Sequence, residues 1–120
     1  MATLNRLDIL GSDDLHLEKI SVPQWGGDLF VRILTAAERD AFEASVSGGK
    51  RRNLVNLRAR LVVLAACDEN GGRLFQDGDI EALGKKSAAA MDRVFGVAAA
   101  LNGFTSGDIE SLEGESAAGL

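Results

Sequence analysis

Arg52-Asn53-Leu54-Val55-Asn56-Leu57-Arg58-Ala59-Arg60-Leu61-Val62-Val63-Leu64-Ala65-Ala66-Cys67 is the stretch that decides the fold. Leu54, Leu57, Leu61 and Leu64 recur at 3-4-3 spacing and share one stripe of a 3.6-residue helix. The spacing predicts a helix over 52–67, apolar nearly all round in its second half and therefore the central element of the core. Arg58 falls on the edge of the stripe, beside Leu54 and Val62. A charge there needs a carboxylate or a route to water. It is either a paired structural group or, with Arg51 and Arg52, part of a basic contact face.

Downstream, Asp68-Glu69-Asn70-Gly71-Gly72 reads as a turn and Arg73-Leu74-Phe75 as extended chain. Asp77 is placed to cap a short helix over 78–83, which Gly84 ends. Ser87 caps a long helix, Ala88–Leu101, with Met91, Val94, Phe95, Ala98 and Leu101 inward and Asn102-Gly103 as its stop. Thr105 and Asp108 begin a last short helix containing Ile109 and Leu112, and 113–120 reads as a flexible tail. Upstream, Thr35-Ala36-Ala37-Glu38 is a capping-box pattern. It predicts a helix over 36–45 with Ala37, Ala41 and Phe42 inward, broken by Ser47-Gly48-Gly49. Before it, Leu15–Val22 and Leu29–Leu34 alternate as strands around Pro23-Gln24-Trp25-Gly26-Gly27-Asp28 and predict a β-hairpin with Leu29, Val31 and Ile33 on one face. Residues 1–14 show little periodicity. The expected fold is α+β and predominantly α-helical: an N-terminal β-hairpin followed by about five helices, two of them long, in one domain spanning 1–112.

Composition bounds the chemistry. The chain has 120 residues, 46% hydrophobic and 26% charged, an ordinary globular mixture for one domain. Only 5% is aromatic, with no Tyr, so the core must be aliphatic. The longest apolar run, Leu61–Cys67, is far short of the roughly 20 residues that span a bilayer. Met1–Leu10 lacks the basic start and long apolar stretch of a signal peptide. One cysteine cannot form an internal disulfide, so a disulfide scaffold is excluded. The net charge of −5 is segregated: residues 1–49 carry −4, residues 50–67 carry +5 and residues 68–120 carry −6. An acidic chain approaches phosphate against Coulomb repulsion, so neither nucleic acid nor a membrane is expected as partner. The basic block from Lys50 to Arg60 either neutralises the acidic flanks, within the molecule or between subunits, or forms a local phosphate patch.

Catalytic and metal signatures are missing. His16 has no HxxxH or CxxC context, and Cys67 lies in an apolar segment where it reads as a small hydrophobe. There is no GxSxG, Walker loop or GxGxxG. A calcium loop starting at Asp68 fails at its fifth, sixth and twelfth positions, occupied by Gly72, Arg73 and Asp79. We expect no enzyme, no metal and no cofactor. Binding features remain. Trp25, in the hairpin turn, either folds onto the core or stands out as an interface anchor. Ala89, Gly96 and Ala100 cluster opposite the inner stripe of the 88–101 helix. They mark either a helix packed on two sides or a face open to close approach by another helix.

Collinear segments then resemble a family. Val22-Pro23-Gln24-Trp25-Gly26-Gly27, Val31-Arg32 and Thr35–Glu43 are similar to the front half of the tail assembly chaperones of long-tailed siphophages. Arg58–Leu64, Asp68-Glu69-Asn70-Gly71, Arg73-Leu74-Phe75, Asp79–Ser87, Asp92–Phe95 and Leu101-Asn102-Gly103 are similar to the second half, so the likeness covers roughly 22–112. The resemblance implies a non-catalytic protein that binds the tape measure protein, a long, largely helical, aggregation-prone chain. It would keep that client soluble until tail tube subunits polymerise around it. It further implies action in the host bacterial cytoplasm, absence from the mature virion and, through a frameshifted longer form, contact with the major tail tube protein. Serial binding along one client suits a homo-oligomer of individually weak contacts. Candidate contacts chosen from their chemistry are Trp25, Arg51, Arg52, Arg58, Ala89, Gly96 and Ala100. The alternatives are a structural tail or head–tail connector protein retained in the virion, and a small nucleic-acid-binding regulator using residues 50–60.

Overall fold

A computed structural model describes residues 2–47 and 54–104. The element order is α1 (Arg6–Leu10), β1 (Leu17–Val22), β2 (Gly27–Arg32), α2 (Ala36–Ser47), α3 (Leu57–Ala65), β3 (Ala66–Cys67), α4 (Ile80–Gly84) and α5 (Ala88–Leu101). The fold is α+β, with an antiparallel sheet of order β1-β2-β3 whose first two strands form a hairpin and whose third follows α3.

The hairpin is present. β1 and β2 pair with Ile20 opposite Leu29 and Val22 opposite Gly27. Its turn is a 3-10 segment, Pro23–Trp25, closed by Gly26 at φ 76°, a left-handed position that favours glycine. The strand face bearing Ile20, Val22, Leu29 and Val31 turns to the core. Leu15 is left exposed. Ile33 lies beyond β2, and Leu34 rather than Ile33 is buried. The chain leaves the strand register there to enter α2, which changes the face that each residue presents.

Two corrections concern the central element. The helix begins at Leu57, not Arg52: Asn56 takes a left-handed φ of 53°, which breaks the helical path before it. It also stops at Ala65, because Ala66 and Cys67 turn extended and pair with Val31 and Phe30 as a third strand. The element's place at the centre of the core agrees with the apolar pattern. Leu57, Ala59, Leu61, Val62, Val63 and Ala65 are all buried, with α5 and α4 packed against them.

α2 runs two residues further than expected, with Phe42 and Val46 inward; Ala37 and Ala41 face out. Its cap is reciprocal. The Thr35 N–H donates to Glu38 Oε1 at 2.9 Å and the Glu38 N–H to Thr35 Oγ1 at 3.1 Å. Near α4 the expected cap moves: the Gln76 N–H donates to Asp79 Oδ2 at 2.8 Å, while Asp77 pairs with Arg73 at 3.3 Å. Gly84 ends α4 against the Asn56 side chain, whose Oδ1 would lie 2.5 Å from a Cβ there and would have to shift to admit one. α5 has the bounds read from the sequence. Ser87 Oγ accepts from the Ala90 N–H, and Met91, Val94, Phe95 and Ala98 are buried. The expected helix after Thr105, the tail over 113–120 and the Gly48-Gly49 break lie outside the described residues.

Two polar ties join distant segments. Arg32, buried at the end of β2, forks onto Glu38, with Nη1 2.9 Å from Oε1. Asn102 is buried just past α5. Its Oδ1 accepts from the Leu34 N–H at 2.7 Å, and its Nδ2 donates to the carbonyls of Arg32 (3.2 Å) and Ala98 (2.9 Å). These bonds satisfy the two groups except at Arg32 Nε, which is buried with no hydrogen-bond partner. Together they fix the exit of β2 against the end of α5.

Candidate interaction surfaces

The N-terminal arm is the first surface. Asn5 and Asp8 form a reciprocal cap, with the Asp8 N–H donating to Asn5 Oδ1 at 2.9 Å and the Asn5 N–H to Asp8 Oδ2 at 3.0 Å. The cap nucleates a one-turn helix that buries none of its residues. Leu4, Leu7, Ile9 and Leu10 are 58–73% exposed. Scattered exposed apolar residues are ordinary, but four within seven positions make a patch. Periodicity does not reveal this helix. The Asn5-x-x-Asp8 spacing carries its signal.

The second surface is the outer face of α5. Ala89, Gly96 and Ala100 are all exposed, and a Cβ built on Gly96 meets nothing within 4 Å. Of the two readings of these small residues, the open face is the one observed among the described residues. Asp92 lies on the same side of the helix and pairs with Arg58 of α3. Arg58 therefore joins the small-residue face through a carboxylate, with its guanidinium also 6.0 Å from the Phe95 ring centroid. Arg93 reaches the other way and donates to the Ser21 carbonyl of β1. Trp25 is half-buried and packs against the core, and its turn contacts α5. Arg51 and Arg52 lie outside the described residues.

A third surface has no counterpart in the sequence pattern. A cleft of about 150 Å³ opens between α2, α3 and α4, walled by Phe42, Leu64 and Ile80. Arg60 lines it and donates from Nη1 to the Ser45 carbonyl and hydroxyl, both at 2.9 Å. Desolvation by burial pulls the Arg60 pKa downward. The cleft draws its residues from three separate elements, so no local pattern announces it.

The titratable groups near the core serve structure. Burial pushes the Glu38 carboxyl up, but the Arg32 fork and the bonds from Thr35 outweigh it and hold its pKa below the ordinary value. Burial pushes the Cys67 thiol up, which keeps it protonated. Asp68 spends Oδ1 on the N–H groups of Asn70 (2.8 Å) and Gly72 (3.0 Å), closing its own turn. Among the described residues no group of three or more His, Cys, Asp or Glu side chains could hold a metal ion. No helix there is long and apolar enough to cross a membrane.

These features define a small α+β domain with an exposed apolar arm and an exposed small-residue face on α5. Its fold is that of a phage tail assembly chaperone. The tail assembly chaperone of bacteriophage HK97 superposes with a TM-score of 0.55 at 15% sequence identity, over 72% of this chain and 85% of that one. No family model matches the chain, and neither does any curated protein sequence. At this identity the likeness establishes the fold.

Proposed function

We propose that this chain is a non-catalytic phage tail assembly chaperone that binds the tape measure protein and keeps it soluble until the tail tube polymerises. The observation that carries the reading is the fold shared with the HK97 chaperone. The surfaces supply the physics. A holdase for a long amphipathic helix needs apolar contact area that is exposed before the client arrives. The arm with Leu4, Leu7, Ile9 and Leu10 offers that, and the α5 face around Gly96 lets a second helix come close. Many weak contacts along one client give avidity while each stays displaceable, which suits a homo-oligomer. An acidic net charge of −5 keeps a coated client in solution. On this reading the protein works in the host cytoplasm and leaves before the virion matures. A frameshifted longer form would bring in the major tail tube protein.

Coexpression with the tape measure protein encoded nearby tests the proposal. The expected result is a soluble client that copurifies with this chain, and loss of that solubility in a Leu7→Asp/Leu10→Asp variant. A client equally insoluble with and without this chain defeats the reading. Mass spectrometry of purified virions separates it from a retained connector, since a chaperone is missing from the particle. A Trp25→Ala variant that solubilises the client as wild type does removes Trp25 from the contacts, with the function intact.

A further inference from the structure

The chain holds five asparagines, and two of them precede glycine: Asn70-Gly71 and Asn102-Gly103. In such a pair the backbone nitrogen of the second residue can attack the side-chain amide carbon of the first. Glycine leaves that approach unhindered, because it has no Cβ and turns freely about its backbone. Both reacting groups belong to one chain, so no encounter is needed. The two pairs sit in opposite surroundings.

At Asn102 the fold blocks the reaction. The side chain is buried, its Oδ1 accepts from the Leu34 N–H, and its Nδ2 donates to the carbonyls of Arg32 and Ala98. The amide cannot turn toward the Gly103 nitrogen without breaking three hydrogen bonds between β2 and the end of α5. At Asn70 the side chain is exposed, and its amide makes no hydrogen bond among the described residues. Gly71 is open too: a Cβ built there meets only Leu17 Cδ2, at 3.7 Å.

What restrains the Asn70-Gly71 pair is its turn, and Asp68 holds that turn. The Asp68 carbonyl accepts from the Gly71 N–H at 3.0 Å, and its Oδ1 accepts from the N–H groups of Asn70 (2.8 Å) and Gly72 (3.0 Å). The Gly71 nitrogen must give up its proton to react, so the turn must open first. Asp68, Glu69, Asn70 and Gly72 are all exposed, so this opening uncovers little apolar surface and costs far less than freeing Asn102.

We propose that Asn70 is a site of spontaneous deamidation whose rate Asp68 sets, and that burial protects Asn102. The Gly71 nitrogen loses its proton to hydroxide and bonds to Asn70 Cγ. The Cγ–Nδ2 bond breaks, and ammonia leaves with a proton taken from water, closing a succinimide ring. Water then opens the ring. Breaking the new N–Cγ bond gives aspartate, and breaking the original bond between the Asn70 carbonyl carbon and the Gly71 nitrogen gives isoaspartate. The net change is ammonia exchanged for water, with no oxidant or reductant. Either product adds a carboxylate to a cleft of about 310 Å³ that Asn70 lines together with Asp28, Asp68 and Glu69. The proposal goes beyond the chaperone reading and does not rest on it.

The test keeps the folded full chain at mildly alkaline pH for days and digests samples with trypsin, which releases Asn70 in 61–73 and Asn102 in 94–120. Mass spectrometry reads the one-dalton gain at each asparagine, and isoaspartyl methyltransferase labelling reports the isoaspartate. Conversion at Asn70 is expected to run at least about tenfold faster than at Asn102. In urea above the unfolding transition the two rates should converge, since only the fold separates them. Asp68→Ala removes the side-chain acceptor of two turn N–H groups and should accelerate conversion at Asn70 about fivefold. Asp68→Asn keeps an Oδ1 acceptor and should stay nearer to wild type. Asn70 unmodified in the folded chain while it converts in urea overturns the proposal, as does Asn102 converting as fast as Asn70 in the folded chain. A rate at Asn70 left unchanged by Asp68→Ala overturns the role given to Asp68.

Discussion

Leu61 and Leu7 are the same side chain on two helices, and their surroundings are opposite. Leu61 is 1% exposed at the centre of α3, whereas Leu7 is 73% exposed on α1. Both helices are written into the sequence, but by different physics. α3 is short on local signals: Asn56 before it makes no side-chain cap, and its stability comes from burial between α5, α4 and α2. α1 has a complete local cap and no burial. Helix formation therefore says little about stability by itself; packing of an apolar face supplies most of it. The contrast also separates roles. The region that holds the fold together hides its leucines, and the N-terminal arm displays them.

The largest effect comes from truncating the two leucines in parallel. Leu61→Ala removes buried methyl groups and leaves a cavity, at a cost of about 4 kcal/mol, within the range typical of core Leu→Ala changes. Leu7→Ala should cost no more than about 0.5 kcal/mol, as surface changes do. Urea denaturation of the two variants measures the difference. A Leu7→Ala variant as unstable as Leu61→Ala would show that the arm is packed in solution, and the distinction between the regions would collapse.

An intermediate effect is expected at the junction of β2 and α2. Glu38→Gln leaves the buried Arg32 guanidinium without its counter-charge, and we expect a loss of about 2–3 kcal/mol at neutral pH. The pH dependence has a definite sign. The Glu38 carboxyl is held below its ordinary 4.5 in the folded state, so its contribution is present above that value and drains away as pH falls through the folded pKa. The gap between wild type and Glu38→Gln should narrow in acid. Denaturant midpoints taken at neutral pH and near pH 3 measure it. A gap that widens in acid would mean that the fork with Arg32 does not hold the carboxylate charged.

The residues legible in the sequence are those whose partners are close by in the chain. Thr35 with Glu38 and Ser87 with Ala90 announce their helices three positions ahead, and both helices stand where those patterns put them. The central apolar run is legible as core but not in its conformation. Ala66 and Cys67 continue the run of small and apolar residues, and periodicity cannot separate the last turn of a buried helix from a buried strand. Only their pairing with Val31 and Phe30, more than thirty positions away, makes them β3. The same limit hides Asn102, legible only as part of a helix stop, whose side chain spans 68 and 70 positions to reach Leu34 and Arg32. It also hides the cleft around Arg60. Of the candidate contact residues, Ala89, Gly96 and Ala100 are visible because a helix face is a local pattern. Their link to Arg58 is not, since Arg58 sits on α3 and meets their helix only through Asp92.

The smallest effect on stability sharpens the comparison most. Asn5→Ala deletes one half of the arm's reciprocal cap, a change worth roughly 1 kcal/mol to a helix. Because α1 contributes no buried residue, that cost should stay local. The global urea midpoint is expected to remain unchanged, while the Cα chemical shifts of Arg6–Leu10 move toward coil values. Leu61 would register nothing of it. A midpoint that falls with the arm's helicity would mean that the two regions fold as one unit, and the exposed leucines would then have to be explained as part of the core rather than as a separate exposed surface. Helicity lost with the midpoint unmoved would confirm that the arm is ordered only by its own cap. In that case any surface that covered Leu7 and Leu10 would supply the burial that α1 lacks, and the arm would gain its stability only on such contact.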